Sequence, residues 1–330
     1  MDIKTSYMGM PLNSPFIVAA SPISAEIDNI KLAEDSGASA IVLYSLFEEQ
    51  IRQEQKDLFY KAHDGDYISA EVKSFFPEPV EFKVGPEGYL ELIRKAKEAV
   101  KIPIIASLNG TTVGGWTEYA EKMQQAGADA IELNQYNIPT QFGFSSEKIE
   151  ETYLEVLRVV KNSVRIPIAV KLSPFFTNIA NLSRRLDDEG ADALVLFNRF
   201  YQPDIDLENL EVKPHIEFSS SFSNRLPLTW IAILKGRIAA DISATTGIHT
   251  AKDVIKMLLA GANAVQLCSV LLKNGVEHIK VIQRDMLKWM EEKEYNSVHQ
   301  MIGAISQRKL KDPAAYERIQ YMKTISSYKY

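Results

Sequence analysis

Short apolar runs recur along this chain, separated by longer stretches in which apolar residues return every three or four positions. The runs fall at residues 16–21, 40–45, 103–108, 130–134, 167–173, 193–198, 238–243 and 264–269. They are rich in Ile, Val, Leu and Ala and are closed by Pro, Ser or Asn, the pattern of strands buried on both faces. Helical periodicity fills residues 27–37, 89–100, 115–127, 146–164, 178–190 and 275–293, with a short segment at 227–234 and an amphipathic helix between the last two runs. Eight strands alternating with helices predict an α/β chain folded as a (β/α)8 TIM barrel. A recurring tetrapeptide supports the reading: Gly37-Ala38-Ser39-Ala40, Gly127-Ala128-Asp129-Ala130, Gly190-Ala191-Asp192-Ala193 and Gly261-Ala262-Asn263-Ala264 precede strands two, four, six and eight. Each looks like a helix C-terminus followed by a tight turn into a buried strand.

Two stretches break the alternation. Residues 48–85 mix charge, aromatics and prolines without a period, and residues 201–225 are irregular with room for short hairpin strands. They are read as insertions after strand two and after strand six, the first lying over one barrel end; such segments in a compact domain are more often functional than idle. A single barrel domain is expected over residues 1–306, followed by a polar tail at 307–330 rich in Lys and Tyr. A doubly wound dinucleotide fold fits less well, because strand one ends Ala19-Ala20-Ser21-Pro22 without a Gly-rich turn.

Composition changes the list of partners rather than the fold. Asp and Glu outnumber Lys and Arg by 43 to 37, and no basic cluster stands out, so nucleic acid is not an expected partner. Cys268 is the single cysteine, which rules out a disulfide framework or an iron–sulfur cluster from this chain alone and fits a reducing cytoplasm. The start Met1-Asp2-Ile3-Lys4 has no apolar leader and no run approaches a membrane span, so a cytoplasmic chain with no membrane partner is expected.

Active sites of such barrels form at the C-terminal strand ends. This selects Ser21, Tyr44, Ser45, Ser107, Asn109, Asn134, Lys171, Asn198, Thr246, Gly247, Cys268 and Ser269. Lys171 interrupts an apolar strand, where a charge is costly unless it meets a ligand or a partner; the bland alternative is a pair with Glu132 or a side chain reaching the rim. Asn134 and Asn198 each end a strand and offer a donor and an acceptor to a planar heterocycle, or simply cap turns. Thr246, Gly247 and Ser269 suit an anion cradle, against ordinary helix capping after strand seven. The strand-end serines read equally as turn residues, Cys268 as packing, and His249 as a lone histidine without metal-ligand spacing.

At these residues the chain resembles the dihydroorotate dehydrogenase family of flavin-dependent barrels, from Met10 to about Ser306. The resemblance rests on Asn13-Ser14-Pro15-Phe16 with Ala20-Ser21, on Ile131-Glu132-Leu133-Asn134, on Val170-Lys171-Leu172-Ser173-Pro174, on Phe197-Asn198, on Thr246-Gly247-Ile248-His249-Thr250 and on Gln266-Leu267-Cys268-Ser269. Ile105-Ala106-Ser107 with Trp116-Thr117-Glu118 also resembles the flavin barrel of dihydropyrimidine dehydrogenases. The resemblance implies FMN on the strand ends and hydride transfer with a dihydropyrimidine-like substrate, by default dihydroorotate to orotate, in pyrimidine biosynthesis. It places Lys171 against the flavin ring, Thr246, Gly247, Cys268 and Ser269 around its phosphate, Ala20, Ser21, Ser45 and Ser107 along the cofactor, and Asn134 and Asn198 at the substrate. It further implies a soluble electron acceptor or partner protein, since no extension precedes strand one, and leaves a homodimer open.

Three positions depart from the family pattern. The Cys or Ser base expected after strand four is absent from Asn134-Gln135-Tyr136-Asn137-Ile138-Pro139; an ungapped alignment puts Asn137 in its place, where an amide cannot take a proton from carbon, and an alignment with a deletion matches Asn137 to the second family Asn and leaves no base. A family Lys at the end of strand two is Tyr44, and the substrate segment that follows reads Ser74-Phe75-Phe76-Pro77. Tyr136 or Tyr44 is left as a proton donor, though a phenol needs a strongly lowered pKa to act as a base near neutrality. A non-redox phosphate barrel of aldolase or isomerase type using Lys171, and a flavin-binding homologue without dihydroorotate activity, stay open.

Overall fold

A computed structural model describes residues 1–51, 85–110, 116–199, 202–213 and 217–327. The chain begins with an antiparallel hairpin, β1 (Thr5–Tyr7) and β2 (Met10–Leu12), joined by a two-residue turn with positive φ at Met8 and Gly9. Barrel strands then alternate with helices: β3 (Phe16–Val18), α1 (Ile27–Asp35), β4 (Ala40–Phe47), α2 (Pro86–Ala99), β5 (Ile104–Asn109), α3 (Trp116–Gln125), β6 (Ala130–Asn134), α4 (Ser146–Ser163), β7 (Ile168–Leu172), α5 (Ile179–Asp188) and β8 (Ala193–Leu196). A second hairpin follows, β9 (Asp204–Asp206) and β10 (Glu211–Lys213), then α6 (Arg225–Leu234), β11 (Asp241–Ala244), α7 (Ala251–Ala260), β12 (Ala264–Leu267), α8 (Ser269–Asn274) and α9 (His278–Glu292). Eight parallel strands close in the order β11-β12-β3-β4-β5-β6-β7-β8. This is the (β/α)8 barrel the periodicity predicted.

Alternation sets two cores. Outward side chains of the strands pack under the helices, while inward ones, mostly Ala with Ile17, Val42, Ile105 and Val195, fill the barrel. The first hairpin plugs the bottom: Tyr7, Met8 and Leu12 join the interior cluster, and the Met8 amide donates to the Asp241 carboxylate at 2.8 Å. Small interior residues leave room for this plug and for the polar side chains above it.

The Gly-Ala-X-Ala turns share one construction. Their glycines lie at φ between +89° and +136°, the left-handed conformation a helix stop demands. The third residue's amide then bonds the preceding strand: Ser39 to Phe16, Asp129 to Ile104, Asp192 to Ile168 and Asn263 to Ile242. In three of the four turns its side chain also accepts the amide that opens or follows the start of that strand: Asp129 from Ile104, Asp192 from Ile168 and Asn263 from Ile242. Alternate βα units are thus latched by the same device.

Several expected boundaries shift. Strand seven is β11, displaced from 238–243, because Ala239 and Ala240 spend their amides on the Asp187 carboxylate of α5 rather than on a neighbouring strand. Strand one stops at Val18 and Ser21 leads into a 3-10 turn, Pro22–Ala25. Cys268 ends strand eight by capping α8, so the expected helix at 275–293 is preceded by a separate short one. Residues 307–327, expected as a polar tail, carry 3-10 turns and a helix, Arg318–Ser326, with Gln307 buried and bonded to Arg237. Most of the insertion expected after strand two, with Ser74 to Pro77, lies outside the described residues. No helix among those described is long and apolar enough to cross a membrane.

Candidate active site

A cavity of about 580 Å³ opens at the C-terminal ends of the barrel strands. It brings together eight of the predicted site residues: Ala20, Ser21, Lys171, Asn198, Thr246, Gly247, Cys268 and Ser269. The others, Tyr44 and Asn109 among them, lie outside its wall. Ser45 and Ser107 face each other at matched positions of β4 and β5, their hydroxyls 2.8 Å apart. Asn134, at the end of β6, accepts a hydrogen bond from the Asn198 side-chain amide, so it reaches the cavity through its neighbour. Tyr136 and Asn137 follow on the half-buried start of the loop after β6.

Lys171 is 7% exposed and lies 3.3 Å from a Glu132 oxygen, so the buried ammonium is paired. The other Glu132 oxygen accepts from the Gln266 amide at 2.7 Å. Gln266 stands on β12, four strands from β6, so the contact spans the barrel. Lower in the same interior, burial and then the negative charge of Glu132 push the Tyr7 phenol well above its ordinary range. The Tyr7 hydroxyl lies near Ser243 and Gln266 without forming a hydrogen bond of good geometry.

The turn after β11 forms another wall. Thr246 and Gly247 both lie at positive φ, +73° and +78°. A side chain at Gly247 would place its Cβ 2.4 Å from the Asn224 backbone nitrogen, so glycine is required there. Thr246 has no such excuse; its hydroxyl donates to the Phe197 carbonyl at 3.0 Å, which holds a β-branched residue in a costly conformation. The helix that follows uses its own donors: Asp253 accepts the His249 and Thr250 amides in a capping box. An anion beside this turn therefore depends on the turn backbone and on Cys268–Ser269, not on the start of α7. Burial raises the Asp253 carboxyl, but bonds from Ser221, His249 and Thr250 outweigh it and hold the group below its ordinary value. Burial pushes the Cys268 thiol up, opposed by Lys171.

Several further residues shape this site. Asn224 bonds Asp253 at 2.8 Å and the Gly247 carbonyl at 3.3 Å. His249 shares a 3.0 Å bond with Ser219, on the segment that passes over the cavity, and Lys273 donates to the Ser219 carbonyl. The Thr250-x-x-Asp253 spacing is a capping-box signal that could have marked Asp253; Asn224 and Ser219 carried no such sign. Tyr44 meets Tyr89 of α2 edge-on at 5.3 Å, between strand and helix, and burial raises its phenol. Its hydroxyl stays protonated at neutral pH and cannot serve as a base.

Comparison with known proteins agrees with the geometry. The dihydroorotate dehydrogenase family model matches residues 83–290. A protein of Thermoplasma volcanium named dihydroorotate dehydrogenase B (NAD(+)), catalytic subunit, is 28% identical over 317 residues, covering 93% of this chain and 99% of the relative. Proteins of the same name from Thermoplasma acidophilum and Pyrococcus abyssi are each 26% identical, covering 92% and 91% of this chain and 98% of each relative. With more than half of its length matched, this chain belongs to the dihydroorotate dehydrogenase family.

Proposed function

We propose that the cavity binds FMN and that the chain is an oxidoreductase acting on a CH–CH bond of a small planar substrate, by default dihydroorotate. The observation that carries this is the convergence of a paired Lys171 at the cavity wall with the Thr246–Gly247 turn and Cys268–Ser269 in a chain of this family. The wall suits such a group. Its volume is that of a cofactor site, and Ser21 is buried with a hydroxyl that has no partner among the described residues. Thr246, Gly247, Cys268 and Ser269 would hold the phosphate, mostly by backbone, while Ala20, Ser21 and Lys171 would lie along the ring and Ser45 and Ser107 close to it. When bound, FMN supplies the two-electron chemistry, accepting or returning hydride.

The protein's own part is binding, charge and protons. Lys171 offers positive charge where negative charge develops on reduction. Asn198, braced by Asn134, presents an amide edge to the substrate. Proton removal is the unusual element. Asn134 to Pro139 holds neither a thiol nor an aliphatic hydroxyl, Asn137 cannot act as a base, and Tyr136 is the one phenol in that segment. This favours, as a second reading, a flavin protein of the family that works on another substrate or lacks dihydroorotate activity. An aldolase-type role for Lys171 is disfavoured by family membership and by the Glu132 pair.

The relatives are named catalytic subunits, which supports a second, partner chain as the route for electrons, with a soluble acceptor and a homodimer as further readings. A cytoplasmic setting rests on the cysteine usage. Titrating FMN into flavin-free protein while following quenching of flavin fluorescence tests the cofactor assignment. Saturable quenching with one equivalent is expected, and its absence sinks both flavin readings.

A further inference from the structure

Three polar side chains inside the barrel, Lys171, Glu132 and Gln266, form one connected set at the cavity. Lys171 and Gln266 line the cavity, while Glu132, 1% exposed, lies beneath them. One carboxylate oxygen faces the Lys171 ammonium at 3.3 Å and the other is held by Gln266 at 2.7 Å. Among the described residues, the other charged ones that line the cavity, Arg199 and Glu217, are exposed, where water screens them. The dominant buried electrostatic element facing a bound ring is therefore an ion pair and not a free cation. A cation so compensated exerts a far weaker field than a bare ammonium in a dry site.

We propose that Glu132 is a positioning residue that cancels much of the Lys171 charge and so lowers the reduction potential of the flavin bound above it, with Gln266 fixing the Glu132 carboxylate from the opposite wall. The inference rests on the FMN reading and adds what sets the driving force of that site. A bare Lys171 would favour the reduced, negatively charged ring and make the chain a better oxidant. Glu132 opposes this and makes the reduced chain a better donor to an acceptor. Gln266 matters because a carboxylate free to turn away would leave the charge of Lys171 uncompensated for part of the time.

The test is spectroelectrochemical titration of the FMN-loaded protein against a reference dye, on wild type, Glu132→Gln, Lys171→Met and the double variant. Glu132→Gln keeps the side-chain size and removes the anion. At a fixed poise it is expected to raise the reduced-to-oxidised ratio about tenfold, or about 30 mV for a two-electron couple. Lys171→Met is expected to lower the ratio. The double variant, which removes a neutral pair, is expected to return close to wild type, and it keeps the proposal testable if the single glutamate variant misfolds. Loss of flavin by the wild type itself would overturn the cofactor reading and this one together. A flavin-loaded Glu132→Gln protein with an unchanged or lowered ratio, or a double variant as low as Lys171→Met, would overturn the role of Glu132 alone.

Discussion

Replacing Gly247 by Ala puts the turn after β11 to a quantitative test. The glycine sits at φ +78°, where an L-residue costs about 1–2 kcal/mol. The new Cβ would also stand 2.4 Å from the Asn224 nitrogen, 2.8 Å from the Ser223 carbonyl carbon and 2.9 Å from the Ser220 oxygen. All three are backbone atoms, so no rotamer change relieves the clash, and overpacking of this kind costs about 1–3 kcal/mol more. The sum, about 2–5 kcal/mol, is a large part of the roughly 5–15 kcal/mol that holds a typical fold. Relief requires the segment around Asn224 to move, which strains its bonds to Gly247 and Asp253 and displaces the cavity wall. Thr246→Gly is the matched control. It relieves a similar conformational cost but removes the hydroxyl bond to Phe197, worth about 0.5–1.5 kcal/mol, so little net change is expected. Urea denaturation midpoints measure the stabilities, and FMN titration measures the wall. A Gly247→Ala protein as stable as wild type, or a Thr246→Gly protein equally damaged, would refute the close-packing account of this turn.

Other outcomes follow from the same structure. Asp129→Ala and Asp192→Ala each remove the acceptor of a strand-opening amide and should cost about 1–3 kcal/mol in denaturant titration, while the partly exposed pairs with Lys97 and Lys161 add little. Tyr7→Phe removes a buried hydroxyl without a hydrogen-bond partner and should leave the midpoint unchanged or higher; a loss above about 1 kcal/mol would mean the hydroxyl is bonded. Burial, and then Lys273, hold His249 below its ordinary value, so the unfolded chain binds this proton more readily than the folded one. Its contribution is intact above about pH 6.5 and is lost as pH falls from there through the lower folded value. His249→Gln should flatten that part of the stability–pH curve, and an equally steep curve in the variant would assign the slope to another group.

The fold was legible because a parallel barrel buries each strand on both faces, which writes it as an apolar run; 193–198 and 264–269 needed only trimming at their ends. The turns were legible where glycine is compulsory, as at Gly37 and Gly261. The first hairpin was not, since its turn uses Met8 at positive φ, held by burial and by Asp241 rather than by a turn-favouring residue. Strand seven was misplaced because Ile238-Ala239-Ala240 is apolar in composition, while its amides are taken by Asp187, distant in sequence. In the site, Lys171 was visible as a charge in an apolar strand, and its pair with Glu132 was the bland alternative to a ligand contact. The contact between Asn134 and Asn198, and the reach of Gln266 to Glu132 over 134 positions of sequence, exist only once the barrel closes.

The proposed flavin of this cavity exchanges electrons with a small planar substrate. The most direct test is the visible absorption spectrum of the FMN-loaded chain before and after anaerobic addition of dihydroorotate. The bands of bound oxidised flavin are expected, and dihydroorotate is expected to bleach them. Bound flavin that dihydroorotate leaves oxidised would overturn the default substrate and favour the second reading; a chain that takes up no FMN would overturn both flavin readings.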